Sequence, residues 1–493
     1  MKITDLKYAL SSGVAVALLS SIGLAACGGG GSSQEDPETR ADSNGGEQAR
    51  LLKTANSSGV LATYTASGTI DESNPFFKPL GNGRSCASCH QAADAWSLTP
   101  QSVQARFSQT DGTDALFQAH DAANSPLADV STVEARRAAY SMLLNKAVIR
   151  MSLPIPDDAE FELAATDDPY GYANSAGLSL FRRPLPAANL KFLASVMWDG
   201  RETYKDPSST SCFAGTNDCY STLEFNLSHQ ARNAVTTHAQ AAQELTAEEQ
   251  AAIVGFEKGL FTAQLVDNDA GDLTGIGGKG GPFALAGTAF YFGINDQQAG
   301  DYRSKVPFNP NAITLFDAWN TTSSLSDAAV PASNAATVTA ARRSIARGQS
   351  IFNNREMLIN NVSGMPGTSV RGTCTTCHNA PNTGGSSTPL LMNIGTAAAS
   401  ERTPDMPLYT LRNKATGETI QTMDPGAALS SGKWEDIGRV KVPVLRALAA
   451  RAPYFHNGSA KDLREVVVFY NTRFQMHLST QEIIDLSAFL KAL

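Results

Sequence analysis

The sequence predicts a mainly helical fold with two domains, one around each copy of a repeated pentad. The pattern Cys-x-x-Cys-His occurs at Cys86–His90 and again at Cys374–His378, 288 positions later. That separation is far larger than one small domain needs, so each copy is expected to have its own domain. Amphipathic patterns support the helical class, most clearly at Leu478–Leu493. We therefore expect a first domain at 56–339 and a second at 340–493.

The pentad places two thiols beside an imidazole, which is the pattern of covalently attached haem c. The thiols would form thioether bonds to the porphyrin vinyl groups, and the imidazole would ligate the iron. The six residues in these roles are Cys86, Cys89 and His90 in the first copy and Cys374, Cys377 and His378 in the second. A zinc or redox Cys-x-x-Cys gives no reason for a following His in both copies. The sequence thus predicts two covalent haem groups in two cytochrome c-like domains, the first with irregular, loop-rich insertions.

The beginning of the chain has the composition of a lipoprotein-type signal peptide, expected at 1–26. A basic start and an apolar stretch precede Leu24-Ala25-Ala26, which with Cys27 resembles a lipobox. An ordinary cleaved signal, with Cys27 uninvolved, is the alternative. Residues 27–55 are rich in Gly, Ser and acidic side chains, which is typical of a flexible tether. We expect a periplasmic protein whose only membrane link is a lipid on Cys27.

Cysteine usage and charge fit that compartment. Cys212 and Cys219 lie seven apart in a polar loop and are expected to form a local disulfide. The formal net charge of −8 argues against a nucleic-acid partner and favours a basic electron-transfer partner.

Helical patterns occur in both expected domains. In the first they cover Thr132–Val148 and Gln240–Phe256, whereas the Gly- and Asp-rich segment 260–310 is expected to form loops or short strands. In the second, Ser459 is expected to cap a helix, and Ser479 with Glu482 forms a capping box for the last one.

The helix expected after Ser459 has one apolar stripe. Its members recur at i, i+3, i+4 and i+7 and are Leu463, Val466, Val467 and Tyr470. Residues at this spacing share a face, so Tyr470 should point into the domain interior.

From about Asn74 to Leu493 the chain resembles the family of bacterial di-haem cytochrome c peroxidases, which includes MauG. Besides the pentads, the resemblance rests on Trp-Asp-Gly-Arg within Met197–Arg201 and on two C-terminal phrases, Lys441–Arg446 and Ala452–Ser459. It implies an enzyme that reduces hydrogen peroxide at an open N-terminal haem. A small donor cytochrome or cupredoxin would supply electrons through the C-terminal haem.

The resemblance also implies roles for single residues. Trp198 stands at the position of the family's tryptophan that relays electrons between the two haem groups. In the peroxidases a Met ligates the C-terminal haem; here that position, fourteen residues after His456, is Tyr470, as in MauG-like members. Those members share two oxidising equivalents in a bis-ferryl state. Met476 is the alternative ligand. The stretch 167–183 has no distal His, which implies an open N-terminal iron.

The distal segment departs from the family pattern. Gln230 matches, but the family's proton-moving Glu, ten residues later, is Gln240 here. An amide cannot relay a proton as a carboxylate does. His238 is left as an acid–base group or as an iron ligand; in a helix it would point about 200° away from Gln240, so only one would face the haem. His229 and His120 are further candidates.

A second departure concerns the family's inter-haem calcium. Its side-chain Asn corresponds to Arg183, and its two carbonyl ligands would come from Arg451 and Pro453. Because Arg183 carries a positive charge itself, it argues against calcium here.

Two other functions stay open on the sequence. A non-catalytic di-haem electron-transfer cytochrome would need both irons six-coordinate, for example with His238 on the first. A di-haem oxidase of an organic or protein substrate would keep one iron open.

Overall fold

The computed structural model describes residues 51–212, 218–322, 325 and 330–493. The expected signal peptide at 1–26, Cys27 and the tether as far as residue 50 lie outside these ranges. Within them, no helix is long and apolar enough to cross a membrane.

Eleven α-helices lie in the described ranges. They are α1 Pro100–Thr110, α2 Val133–Ala139, α3 Ser141–Lys146, α4 Leu223–Thr237, α5 Ala247–Lys258, α6 Gly281–Ala286, α7 Ala318–Thr321, α8 Ala335–Asn354, α9 Ala428–Ser431, α10 Leu463–Arg473 and α11 Thr480–Lys491.

Fifteen short strands accompany these helices in the same ranges. They are β1 Leu51–Asn56, β2 Gly59–Tyr64, β3 Ile149–Leu153, β4 Phe161–Asp167, β5 Leu178–Arg182, β6 Ser211–Cys212, β7 Cys219–Tyr220, β8 Phe261–Asp267, β9 Gly271–Asp272, β10 Met357–Asn360, β11 Ser369–Gly372, β12 Leu391–Met392, β13 Leu408–Asn413, β14 Thr419–Thr422 and β15 Val440–Lys441. The two largest sheets have the orders β1-β2-β8-β9 and β14-β13-β4, and the other strands pair two by two.

The sheets connect parts of the chain that lie far apart in sequence. In β13, Tyr409 lies opposite Thr166 of β4, so a strand of the expected second domain pairs with one of the first. Strand β8, from the segment 260–310, extends the sheet of β1 and β2. Since β1 begins at Leu51, the last residues of the expected tether 27–55 are paired in a sheet instead. The disulfide between Cys212 and Cys219 joins β6 to β7, as expected.

Two helices expected in the first domain have different bounds. The segment Thr132–Val148 forms two helices, because the backbone leaves the helical region at Tyr140 (φ −97°, ψ 16°) and the buried Tyr140 hydroxyl donates to the Phe117 carbonyl at 2.9 Å. Helix α5 starts later than Gln240, because the side chain of Thr246 accepts the Glu249 backbone N–H and fixes the first turn there.

The last two helices differ in how well their caps were predicted. The capping box of Ser479 and Glu482 on α11 is confirmed. Ser459 as the cap of α10 is wrong: Asp462 lies directly before Leu463, and its side chain accepts the Glu465 N–H at 2.8 Å. Carboxylates favour this position because they accept the free N–H groups of the first turn and lie at the positive end of the helix dipole.

The C-terminal core forms around α8, α10 and α11. Leu463 and Val467 of the apolar stripe are buried, and Val466 and Tyr470 pack partly buried against the same cluster. Helices α8 and α11 approach so closely that a Cβ at Gly348 would lie 2.0 Å from the Asp485 carbonyl oxygen. Glycine is therefore required at this crossing.

Candidate functional site

The first pentad lines a large cavity. Cys86–Ser88 form a 3₁₀ turn that ends with the His90 N–H donating to the Cys86 carbonyl at 3.0 Å. This local geometry places Cys86, Cys89 and His90 on one wall. The space inside this cavity, including the solvent at its open mouth, is about 1630 Å³.

His90 is held as a metal ligand would be. Its Nδ1 lies 3.0 Å from the Trp96 carbonyl oxygen, which only accepts, so Nδ1 carries the hydrogen and Nε2 keeps its lone pair. Burial lowers the pKa of His90, which favours the neutral form. A neutral imidazole fixed through its other nitrogen is the usual arrangement of a histidine that binds a metal.

The second pentad repeats this arrangement in a second cavity. Cys374–Thr376 form a 3₁₀ turn, and His378 Nδ1 lies 2.5 Å from the Gly384 carbonyl oxygen. Burial lowers the pKa of His378 to about 4, so Nε2 is again free of a proton. The cavity has about 1500 Å³ of space and is lined by Cys374, Cys377 and His378. Both pentads therefore present two thiols and one imidazole nitrogen to a large cavity.

The thiols fit covalent attachment better than zinc binding. Burial raises the pKa of Cys86, Cys374 and Cys377 to about 12 each, so these thiols stay neutral. Structural zinc is bound by four ligands, with its cysteines as thiolates. Across the described residues, no group of three or more His, Cys, Asp or Glu is arranged to hold a metal ion.

Four of the buried cations that line the cavities lack carboxylate partners among the described residues. Arg183, Lys441 and Arg451 border both cavities, and Arg446 borders the first. Burial lowers the pKa of Arg183 and Arg446 to about 9 and that of Lys441 to about 7. The buried Nε atoms of Arg446 and Arg451 have no hydrogen-bond partner within the described ranges. A haem group carries two propionate carboxylates, and such anions would satisfy these donors.

Trp198 borders both cavities. Its indole N–H donates to the Arg183 carbonyl at 2.8 Å, and its ring meets that of His456 edge to face with 6.2 Å between centroids. Beside it, buried Asp199 pairs with Arg201 at 2.9 Å. Burial opposes ionisation of Asp199, but the neighbouring arginines prevail and lower its pKa to about 2. These interactions fix the indole in a wall that both cavities share.

The two candidate sixth ligands, Tyr470 and Met476, both border the second cavity. The Tyr470 ring stacks on Phe474 with 6.1 Å between centroids, and its hydroxyl has no hydrogen-bond partner among the described residues. Burial raises the pKa of the Tyr470 phenol, so only a nearby cation would ionise it. Because its hydroxyl is not held by another described residue, Tyr470 is the better candidate than Met476 for the sixth ligand.

The structure distinguishes the two distal candidates that the sequence left open, His238 and Gln240. Gln230 and His238 border the first cavity, whereas Gln240 does not. Helix α4 ends at Thr237, and Gln240 has a left-handed backbone (φ 50°) with an exposed side chain that accepts from Asn82 at 3.3 Å. The helix therefore ends before Gln240, so the condition under which the two side chains were compared is not met, and Gln240 is not part of the cavity lining. His238 is the side chain that faces it.

His238 belongs to a polar cluster that the sequence did not reveal. Its Nδ1 lies 2.8 Å from Asp121 Oδ2, and Arg84 Nη1 lies 2.7 Å from the same oxygen. His120 Nε2 is 3.3 Å away. Burial alone would raise the pKa of Asp121, but its hydrogen bonds to these side chains hold the pKa far below its usual range. Asp121 is 117 residues from His238, and no local pattern relates them.

His229 lies in a separate network away from the cavity lining. Its Nδ1 is 2.7 Å from Glu202 Oε2 and 2.8 Å from the Tyr204 hydroxyl. It is therefore a structural histidine on α4.

Arg183, which stands at the position expected for the calcium-binding Asn, has a guanidinium group that is hydrogen-bonded to the backbone. Arg183 donates to three backbone carbonyls, those of Leu98 at 2.8 Å, Arg451 at 2.9 Å and Lys146 at 3.0 Å. The Arg451 carbonyl is one of the two that would have served the metal. It accepts from Arg183 instead.

Comparison with known proteins supports a relation to peroxidases over part of the chain. The chain matches no protein-family model. It is 34% identical over 142 residues to the cytochrome-c peroxidase IdrP2 of Pseudomonas sp. (strain SCT), a match that covers 24% of this chain and 35% of that protein. The chain thus matches about a third of that protein's length. Over the matched quarter, it is similar to a cytochrome c peroxidase.

Proposed function

We propose that this protein is a di-haem c-type peroxidase that reduces hydrogen peroxide. The observation that carries the proposal is that Trp198 borders two cavities, each lined by two cysteines and a histidine of one pentad. Similarity to a cytochrome c peroxidase over a quarter of the chain supports the same class.

The residues that would hold the two haem groups are those of the pentads. Cys86, Cys89 and His90 would hold the first and Cys374, Cys377 and His378 the second, each in a cytochrome c-like domain. Bound there, haem supplies redox-active iron that exchanges single electrons and binds peroxide at an open position. The unpaired arginines and Lys441 would bind the propionates.

Trp198 would carry electrons between the two groups, so that both share the two oxidising equivalents of one peroxide, as in MauG. Its N–H donates to a neutral carbonyl, which is a weak base. An oxidised indole at this position would keep its proton, and only an electron would need to move.

Tyr470 would be the sixth ligand of the second haem, with Met476 as the alternative. An anionic phenolate oxygen stabilises oxidised iron, whereas a neutral thioether favours reduced iron. Tyr470 would therefore allow the second haem to store an oxidising equivalent.

The setting would be the periplasm, with a lipid on Cys27 as the membrane link. A small cytochrome or cupredoxin would deliver the two electrons, and a basic partner fits the formal net charge of −8. Calcium would not be needed, because Arg183 supplies a fixed positive charge at that position.

Electron paramagnetic resonance of the purified ferric protein, before and after one equivalent of hydrogen peroxide, tests the proposal. One high-spin and one low-spin signal, both lost with peroxide, are expected. A protein that is unresponsive both as purified and after partial reduction would refute peroxidase function.

The second candidate is a non-catalytic electron-transfer cytochrome. It is favoured by one observation: His238 also borders the first cavity, and in the part of the chain that the structure describes its Nε2 has no hydrogen-bond partner. Two low-spin signals that persist in all states would support it. Loss of the signals only with an organic or protein substrate present would indicate an oxidase instead.

A further inference from the structure

The cluster around Asp121 is built to fix one imidazole at the first cavity. Arg84 and Asp121 form a buried ion pair, with side chains only 3% and 7% exposed. Arg84 Nη1 also donates to the His238 backbone carbonyl at 3.1 Å, and Asn82 donates to the same carbonyl at 2.9 Å. Both the backbone and the ring of His238 are thus held by groups anchored in the wall.

We propose that His238, oriented by Asp121, is the proton-transfer group for hydrogen peroxide in the first cavity. This inference rests on the proposed function and adds a catalytic residue and a positioning residue to it. Asp121 takes no part in the reaction itself.

The hydrogen bonds set which nitrogen of His238 reacts. The Asp121 carboxylate is ionised and only accepts, so Nδ1 of His238 donates to it and Nε2 is the nitrogen left to exchange a proton in the cavity. An imidazole oriented by a carboxylate in this way is the common form of a general base.

The proton then moves within one peroxide molecule. Nε2 accepts the proton from the oxygen that will be retained and returns it to the other oxygen as the O–O bond breaks. That oxygen leaves as water with the electron pair of the bond. Bound haem iron would supply the two electrons that, with two protons from solvent, reduce the retained oxygen to the second water, and the donor protein would replace those electrons.

The other acid–base candidates at this cavity lack one requirement each. Gln240 cannot relay a proton and lies outside. Glu257 borders the cavity, but it is buried and, among the described residues, its Oε2 has no hydrogen-bond partner that would orient it. The His238 side chain is oriented and 33% exposed, so it can also exchange protons with solvent. A proton-transfer group needs such access to solvent, whereas a sixth iron ligand does not.

The test is His238→Gln in the holoprotein, with His229→Gln as the matched control on the same helix. We expect the first haem to keep its high-spin signal in both variants. The reaction of His238→Gln with hydrogen peroxide should slow by about 10² to 10⁴, the usual contribution of an acid–base group. Free imidazole should restore part of the rate, and the control should react as the wild type does.

Asp121 is tested by Asp121→Asn and Asp121→Glu. The first should slow the peroxide reaction with the spin state unchanged, and the second should recover part of the rate because the carboxylate is retained. Since Asp121→Asn leaves Arg84 without its buried partner, His238→Gln decides the matter if that variant does not fold.

Three outcomes would overturn the inference. Conversion of a low-spin first haem to high spin by His238→Gln would make His238 an iron ligand. An unchanged peroxide rate in His238→Gln, with a reactive wild type, would refute the role while sparing the proposed function. A wild-type protein inert towards peroxide would refute both.

Discussion

The indole N–H of Trp198 donates to the carbonyl oxygen of Arg183, 2.8 Å away. This bond joins two residues that each border both cavities, and one of them, Arg183, carries a buried positive charge. The redox candidate and the fixed charge are therefore held in one rigid unit. A nearby fixed cation disfavours a second positive charge on the indole, so hole transfer through Trp198 should be transient.

Trp198→Phe should slow electron transfer between the two haem groups. Phenylalanine keeps the ring in the shared wall but is much harder to oxidise and lacks the N–H. We expect steady-state peroxide reduction to fall by about ten-fold or more, equivalent to about 1.4 kcal/mol in the barrier, with a smaller effect on the first reaction with peroxide. Stopped-flow absorbance of both haem groups measures the two steps. The control is Trp434→Phe, because Trp434 borders neither cavity. Equal rates of electron transfer in the two variants would exclude a relay through Trp198.

Tyr470→Phe should raise the reduction potential of the second haem. The change removes the only phenol oxygen of the apolar stripe that faces this cavity. Loss of an anionic ligand favours reduced iron, so a rise on the order of 100 mV is expected, within the about 0.8 V range that axial ligands set. A redox titration followed by absorbance measures it. Met476→Leu should leave the potential unchanged; the reverse pattern would identify Met476 as the ligand.

The parts of the site that could be predicted from the sequence depend on neighbouring residues or on long motifs that match the family. A pentad determines its own 3₁₀ turn, because the hydrogen bonds that close the turn lie within five residues. The face of α10 also followed from spacing alone, and Tyr470 lies on it as expected.

Long-range contacts could not be predicted in the same way. The pairing of Asp121 with His238 and that of β4 with β13 depend on how distant segments meet. Helix α4 was not among the helices predicted from the sequence, and its end at Thr237 was not predicted either. The mainly helical class and the boundary at 339/340 stay predictions, and β13 pairs across that boundary.

Arg183→Met should destabilise the protein strongly. The variant keeps most of the side-chain length but leaves the Leu98, Lys146 and Arg451 carbonyls without their donor. Each unsatisfied buried group costs about 1–3 kcal/mol, so a loss of several kcal/mol is expected.

The control for this variant is a surface pair. Arg412 pairs with Glu162 where both side chains are about half exposed, so Arg412→Met should cost less than about 1 kcal/mol. Urea unfolding compares the two. The wild type should also react with peroxide equally well with and without a calcium chelator. A chelator-sensitive wild type would show that Arg183 does not replace the metal.

Glu257→Gln should remove part of the pH dependence of stability. Burial alone raises the pKa of Glu257 from 4.5 to about 8, so at neutral pH the folded protein holds a proton that the unfolded chain has lost. The native state binds more protons between these values, and stability therefore falls as pH rises from about 4.5 to about 8. The slope from one such group approaches about 1.4 kcal/mol per pH unit.

Denaturant unfolding of the holoprotein at several pH values should show a flatter dependence of stability on pH for Glu257→Gln than for the wild type. The control is Glu248→Gln, an exposed site on the same helix, which should match the wild type. Parallel curves for all three proteins would mean that Glu257 is ionised in the folded state, with a cationic partner supplied when haem is bound.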